Sequence, residues 1–483
     1  YPTAPLPDRA KPSYTGAMSN PGVYSNVIQA IGNTPIVRLN HVAPDLGINF
    51  YVKLEFMNPG GSIKDRIGWW LIEDAEKRGV LNPGGTIVES TSGNTGVGLA
   101  MAAAIKGYRC IFVLPDKMSQ EKIKNLRAFG AKVIVTPTAV EPEDPRSYYS
   151  VSRRLGQETP NAYYMNQYDN LANRDCHYNM TGPEILKQMP DIDVFIAGIG
   201  TGGTICGVGK YLREKKPGTE VVAIDPVGSI VYEMYKTGKA VTRPKTYKIE
   251  GIGEDFIPKN YDFSVLTDMG QVEDKEAFVM TRELLTREGL YCGVSCGAAV
   301  AGAFKWAKTQ GERLRGKNVL IVLPDSGNRY MSKVYDDDWM REAGFLDAPS
   351  LGTVADLLKV VRPKGGEVVM AKKSDKISAV IDLMRDKGIS QVPVQDANGW
   401  IQGMVTEGAL LTALYEKRAN ANDVIEKLVA GTVEMVTPTD TIEAVSKLLA
   451  AGKTPLVTES HASGKVMAIL TKIDLLSHLA SRG

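Results

Sequence analysis

From about residue 25 to residue 340, short apolar runs rich in β-formers alternate with longer stretches of helical periodicity, and few patterns constrain a fold more tightly. "GTIVES" leads into "TGVGLAMAAAIKG", "CIFVLP" into "SQEKIKNLRAFG", "KVIVTP" into "SYYSVSRRLGQE" and "DVFIAGIG" into "TICGVGKYLREK"; "EVVAIDP" follows, and "NVLIVLPDSG" closes the series. Strands that are apolar throughout need cover on both faces, so the pattern predicts an α/β core of parallel sheets flanked by helices. Ligands in such folds sit outside the carboxyl ends of the strands.

A chain of 483 residues is too long for one core. The alternation breaks at "EAGFLDAPSLGT", and beyond it the sequence repeats itself. "ISAVIDLMRDKGISQVPVQDANGWIQGMVTEGALLTAL" and "IEAVSKLLAAGKTPLVTESHASGKVMAILTKIDLLSHL" share a helix, a Pro-containing strand, a turn, a second strand and a closing helix, about 65 residues apart. A repeat of that length is a supersecondary unit that covers its apolar face against its twin. The expected organisation is an arm over residues 1–24, a core over 25–341, a linker over 342–352 and repeats over 353–418 and 419–481.

With 57 basic against 55 acidic residues and no cationic run longer than "REKK", the chain offers nothing to nucleic acid or to an anionic membrane. Its apolar runs fall short of the ~20 residues of a membrane span, and a cytoplasmic location is expected. Five scattered cysteines read as reduced thiols. Cys292 and Cys296, spaced CxxxC, have no histidine nearby and read as buried small residues. The four histidines show no HExxH spacing, so no metal is expected.

Three polar loops fall where strands end. In "STSGNTG" the hydroxyls of Thr91, Ser92 and Thr95 and the amide of Asn94 suit a carboxylate at a helix N-terminus; a plain capping turn explains one such donor, not four. "GIGTGGTICG" makes a concave set of N–H and O–H donors for a phosphate. It is neither a P-loop nor GxGxxG, which favours a small phosphate-bearing cofactor over a nucleotide. "LPDSGN" puts Ser326 at a strand end, where taken singly it reads as a turn serine. In "NPGGSIKDR", Lys64 stands between a glycine turn and a helical run, and most lysines are merely solvated. A lysine, an anion loop and a phosphate cup at one sheet edge point instead to pyridoxal 5′-phosphate, whose aldehyde forms a Schiff base with a lysine amine.

"NPGGSIKDR", "ESTSGNTG", "GTGGT", "EGIGEDFIP" and "LPDSGNRY", in this order and spacing, resemble the β-family of pyridoxal enzymes, whose fold is that of the tryptophan synthase β-subunit (fold type II), over about residues 25–340. The tandem repeat resembles the CBS-domain pair, which binds adenosine-containing ligands. A core followed by such a pair is similar to the β-replacement enzymes that join L-serine to L-homocysteine. Cysteine synthases, which use O-acetylserine and sulfide, resemble the core but lack the repeat, and they usually carry Phe and Gln where this chain has Tyr168 and Glu250. A ligand-sensing scaffold with a vestigial core is the reading from another class, and the intact Lys64, Asn94 and Ser326 speak against it.

The resemblance implies a role for each motif. Lys64 carries the cofactor and then serves as base and acid. Asn94 holds the ring hydroxyl, Gly200, Thr201, Gly202, Gly203 and Thr204 cradle the phosphate, and Ser326 faces the pyridine nitrogen. Thr91, Ser92, Thr95 and Gln167 hold the serine carboxylate, while Tyr168, Glu250 and Gly251 shape the second-substrate entrance, and a homodimer is expected. Animal members bind haem through a Cys and a His on the arm; here the first cysteine is Cys110 and the first histidine His41, so no haem is expected. Ligand sites of CBS pairs end in a Thr with an Asp three residues on. The second repeat has Thr471 and Asp474, whereas the first has Thr406 and Ala409. Two readings stay open: one S-adenosylmethionine site at Thr471 and Asp474, or repeats that only pack and dimerise.

Overall fold

The alternation is realised as two sheets in the first part of the chain. Strands Ile36–Arg38, Asn49–Leu54, Asn318–Leu323, Val194–Gly198, Glu220–Pro226 and Asp268–Val272 lie side by side in that order, the first antiparallel to the second and the others parallel. Lys132–Thr136, Arg109–Pro115, Thr86–Ser90 and Ala162–Tyr164 form a second, wholly parallel sheet. The computed structural model describes residues 22–480 apart from 92, 117, 139, 141–143, 240–244, 348–350, 362–367, 431–432 and 461–465. Most of the arm, part of the linker and Ser92 therefore lie outside the described residues.

Side chains of a strand point alternately to opposite faces, and the larger sheet uses both. Val194, Ile196, Val222, Ile224, Val319 and Ile321 join one core with Val300 and Ala303 of the helix Val294–Gln310. Their neighbours Phe195, Ala197, Val221, Ala223, Leu320 and Val322 join another with Ile205, Val208 and Leu212 of the helix Gly203–Lys215. The near-continuous apolar strands thus have the cause inferred from the sequence: helices cover both faces.

The chain divides into two units, Tyr1–Asp347 and Ala348–Gly483, with the boundary inside the stretch read as a linker. In the second unit the two repeats have one topology. Ala371–Lys372 runs parallel to Gln391–Gln395, which pairs antiparallel with Ile401–Thr406. Met435–Val436 runs parallel to Leu456–Thr458, which pairs antiparallel with Val466–Ile469. The helix Val354–Val361 precedes the first of these sheets in the chain, yet Val354, Leu357 and Leu358 pack with Val436, Ile442 and Val445 in the core of the second. That helix completes the second core, while Ile377, Val392, Val405 and Leu410 form a separate core for the first sheet, so the two sheets are covered by helices rather than by each other. No helix among the described residues is long and apolar enough to cross a membrane.

Candidate active site

Lys64 opens the helix Lys64–Lys77, and the turn before it is fastened to a strand end. Ile63 N–H donates to the Pro324 carbonyl at 2.8 Å and Ser326 N–H to the Gly61 carbonyl at 3.1 Å. The same helix presses on the helix Asn94–Lys106 so closely that a Cβ on Gly98 would lie 2.4 Å from the Lys64 carbonyl oxygen. Only glycine permits that approach. The lysine, the start of the second helix and the strand end are thereby held at one place.

A cavity is lined there by Lys64, Asn94, Gly200, Thr201, Gly202 and Thr204, together with Gly251, Ile252, Ser295, Val322 and Pro324. Lys64 keeps part of its surface open to the cavity while its amine is enclosed by protein. That desolvation pulls its pKa below the ordinary lysine value, and Asp325, Glu254 and Glu55 pull the other way without restoring it. Such an amine is unprotonated more of the time than a solvated lysine.

Gly202, at φ +84°, caps the 13-residue helix Gly203–Lys215, whose free N–H groups and dipole suit a phosphate. Asn173 Nδ2 donates to Thr201 Oγ1 at 3.1 Å and to the Gln167 carbonyl at 2.8 Å. Gly203 contributes backbone alone, since a Cβ there would fall 2.0 Å from Asn173 Oδ1. Thr204 Oγ1 lies 3.2 Å from His177 Nε2, and His177 Nδ1 lies 2.9 Å from Thr181 Oγ1. Burial, with Lys64 and Arg66 nearby, holds the His177 pKa well below the ordinary value, so it meets Thr204 as a neutral ring.

Of the proposed carboxylate donors, Thr91, Thr95 and Gln167 are not in the cavity lining and brace the loop, and Ser92 lies outside the described residues. Thr91 Oγ1 accepts from Gly93 N–H at 2.9 Å and Gly96 N–H at 3.3 Å. Thr95 Oγ1 donates to Gln167 Oε1 at 2.5 Å, and Gln167 Nε2 donates to the Ser90 carbonyl at 2.9 Å. Tyr168 is buried among Tyr149 and Phe256, with ring centroids 5.4 and 5.2 Å away. Glu250 is buried too, and accepts from Lys122 Nζ at 2.5 Å and Lys333 Nζ at 2.6 Å. Burial alone would raise its pKa, but the two lysines hold it below the ordinary carboxylate value. In the second unit Thr471 N–H and Oγ1 both donate to Asp474 Oδ2, at 2.8 and 2.6 Å, so this pair is already joined at a helix start.

Ser326 is half-buried, and its hydroxyl makes no hydrogen bond among the described residues. The serine in the cavity lining is Ser295, tied to Asp325 Oδ1 at 3.4 Å. Ser295 escaped the sequence reading because "YCGVSCGAAV" drew attention to its cysteines. Cys292 and Cys296 are buried free thiols, and among the described residues no group of three or more His, Cys, Asp or Glu is placed to hold a metal. Asp325 was also missed: it is fully buried and accepts from Asn94 Nδ2 at 2.8 Å and Tyr330 OH at 2.6 Å. Its neighbour Ser326 carried the more familiar chemistry.

An enclosed lysine amine, an anion cup at a helix N-terminus and a buried Asn94 Oδ1 with no partner among the described residues fit a ring that carries an aldehyde, a hydroxyl and a phosphate. These features define a pyridoxal-phosphate-dependent enzyme. Residues 27–325 match the family described as "Pyridoxal-phosphate dependent enzyme", and residues 354–416 match the CBS domain. The chain is 41% identical to the cystathionine β-synthase of Oryctolagus cuniculus over 480 residues, 96% of this chain and 86% of that protein. The cysteine synthase of Staphylococcus aureus, 42% identical, matches over 310 residues, 64% of this chain and 95% of that protein. The crystal structure of the O-acetylserine dependent cystathionine β-synthase from Helicobacter pylori is 37% identical at a TM-score of 0.58, covering 64% of this chain and 98% of that one. The chain belongs to the cystathionine β-synthase family.

Proposed function

We propose that this chain condenses L-serine with L-homocysteine to L-cystathionine and water. The observation that carries the reading is that Lys64 lines one cavity with Gly200, Thr201, Gly202 and Thr204 of the cup. Pyridoxal phosphate, when bound, supplies an electron sink that acidifies the α-carbon of the amino acid. Lys64 holds the cofactor and, once released by the first substrate, takes the α-proton; its lowered pKa leaves it competent to do so. The same amine then protonates the departing hydroxyl as the Cβ–O bond breaks. The thiol of homocysteine forms the new Cβ–S bond and gives its proton to Lys64, which passes that proton to the α-carbon. Water is the only other product.

Gly200, Thr201, Gly202, Gly203 and Thr204 hold the phosphate, Asn94 the ring hydroxyl, and Ser326, with its hydroxyl uncommitted, the ring nitrogen. A serine cannot deliver a full proton there, which keeps the ring a moderate sink and favours replacement over transamination. Thr91, Ser92 and Thr95 of the anion loop, with Gln167 braced against Thr95, receive the serine carboxylate, and Tyr168, Glu250 and Gly251 border the entrance of the thiol. The working form is a homodimer in the cytoplasm, without haem. S-adenosylmethionine at Thr471 and Asp474 raises the melting temperature if it binds there.

Product identification by mass spectrometry tests the reading. Serine and homocysteine must yield cystathionine. Because the H. pylori enzyme, named as O-acetylserine dependent, matches the core, O-acetylserine is the competing first substrate. Cysteine from O-acetylserine and sulfide, with no cystathionine from serine, would overturn the proposal.

A further inference from the structure

The anion loop and the phosphate cup are joined through one backbone carbonyl, that of Gln167. Every polar atom of this buried residue has a partner. Its N–H donates to Glu89 Oε1 at 3.3 Å, its Oε1 accepts from Thr95 Oγ1, and its Nε2 donates to the Ser90 carbonyl. Its carbonyl accepts twice, from Asn173 Nδ2 and from Asn260 Nδ2, each at 2.8 Å. Asn173 Nδ2 also donates to Thr201 Oγ1 of the cup at 3.1 Å, and Asn260 Nδ2 to the Tyr168 carbonyl at 2.7 Å. The next residue, Tyr261, donates its hydroxyl to the Gly200 carbonyl at 2.6 Å. It lies so close to the cup that a Cβ on Gly202 would fall 2.3 Å from Tyr261 Cδ1. Adjacent side chains of one loop thus hold both the residue braced against Thr95 and the cup itself.

Asn173 and Asn260 are both buried, and the Oδ1 of each has no partner among the described residues. A buried amide oxygen without a hydrogen bond destabilises a fold, and an apolar side chain of similar size fills the same space without one. What the two amides contribute is their N–H groups, which converge on one carbonyl between the cup and the anion loop. Turned over, Asn260 would set its oxygen against two carbonyls. Resting on the reading of Thr95 and Gln167 as receivers of the serine carboxylate, we infer that Asn173 and Asn260 are positioning residues that hold the amino-acid site in register with the phosphate cup. Asn173 bears on both subsites. Asn260 bears on the amino-acid side alone, because Tyr261 holds the cup independently of it.

Titration of the holoenzyme with serine, followed through the visible absorbance of the bound cofactor, tests the assignment. In Asn260→Ala the half-saturating serine concentration should rise about tenfold, while the concentration at which cofactor dissociates on dilution should stay within about twofold of wild type. In Asn173→Ala both concentrations should rise about tenfold. Asn260→Ser keeps one donor for the two carbonyls, should fall between wild type and Asn260→Ala, and carries the test if Asn260→Ala does not fold. A residue that only stabilises the fold would lower the melting temperature and leave both concentrations unmoved. Wild-type half-saturation in the Asn260 variants, or cofactor loss in them as large as in Asn173→Ala, would overturn the inference alone. A wild-type protein whose absorbance does not respond to serine would overturn the β-replacement reading and this inference with it.

Discussion

Asn94 donates its side-chain amide to Asp325 Oδ2 at 2.8 Å, across 231 positions of sequence. The bond joins the anion loop to the end of the central strand Asn318–Leu323, and Tyr330 OH and Ser295 Oγ converge on the same carboxylate. Asp325 also raises the Lys64 pKa against the larger lowering by burial. Removing its charge lets the lysine pKa fall further. In Asp325→Asn the acid limb of the pH–rate profile should therefore move to lower pH, and the maximal rate should drop about tenfold as three donors are left with one acceptor oxygen and an amide N–H2 beside them. A profile measured from pH 5 to 10 checks this, and an unmoved acid limb would count against the coupling.

Lys64→Ala should abolish the visible absorbance of the bound cofactor and reduce turnover by about 10³-fold or more, since one group serves as both base and acid. Absorbance and product formation are read on the same sample.

Ser326→Asp should bring a full proton to the ring nitrogen and depress replacement by about tenfold or more, whereas Ser295→Ala, which removes a hydroxyl already tied to Asp325, should cost less. The opposite ranking in steady-state rates would move the ring-nitrogen role to Ser295.

Below the site Glu55 and Arg66, both fully buried, form an ion pair with N···O at 2.8 Å, joined by Lys53 and Glu184. Burial pushes the Glu55 carboxyl up, but Arg66, Lys53 and the Thr34 hydroxyl win and hold it at about 2. A carboxyl depressed below its unfolded value contributes stability that is present above pH 4.5 and is lost as pH falls toward 2. Arg66→Met should cost about 3–5 kcal/mol by leaving a buried charge uncompensated. Glu55→Gln should flatten the acid limb of stability, and urea unfolding at pH 3 and pH 7 measures both effects.

The alternation of strand and helix was legible because side-chain periodicity is a property of neighbours in the chain. That Gly200, Thr201, Gly202 and Thr204 stand at a strand end beside a helix start was legible too, since a glycine-rich stretch between strand and helix has few other uses. Asp325 and Ser295 were not. Each matters through what it touches, and nothing in "LPDSGN" or "YCGVSCGAAV" says which residue turns toward the cavity. The helix Val354–Val361 shows the same limit, because its apolar face does not tell which of two similar cores it enters.

The sequence by itself determined the class of the core, its order of motifs and the doubled second unit, and it pointed to the lysine proposed to hold the cofactor. Only the tertiary structure decided the charge balance of the site. Glu250 meets Lys122 from 128 positions away and Lys333 from 83, and Asn94 meets Asp325 from 231. Periodicity acts over a few residues and is written locally. Electrostatic partnership depends on distance in space, and packing alone sets it.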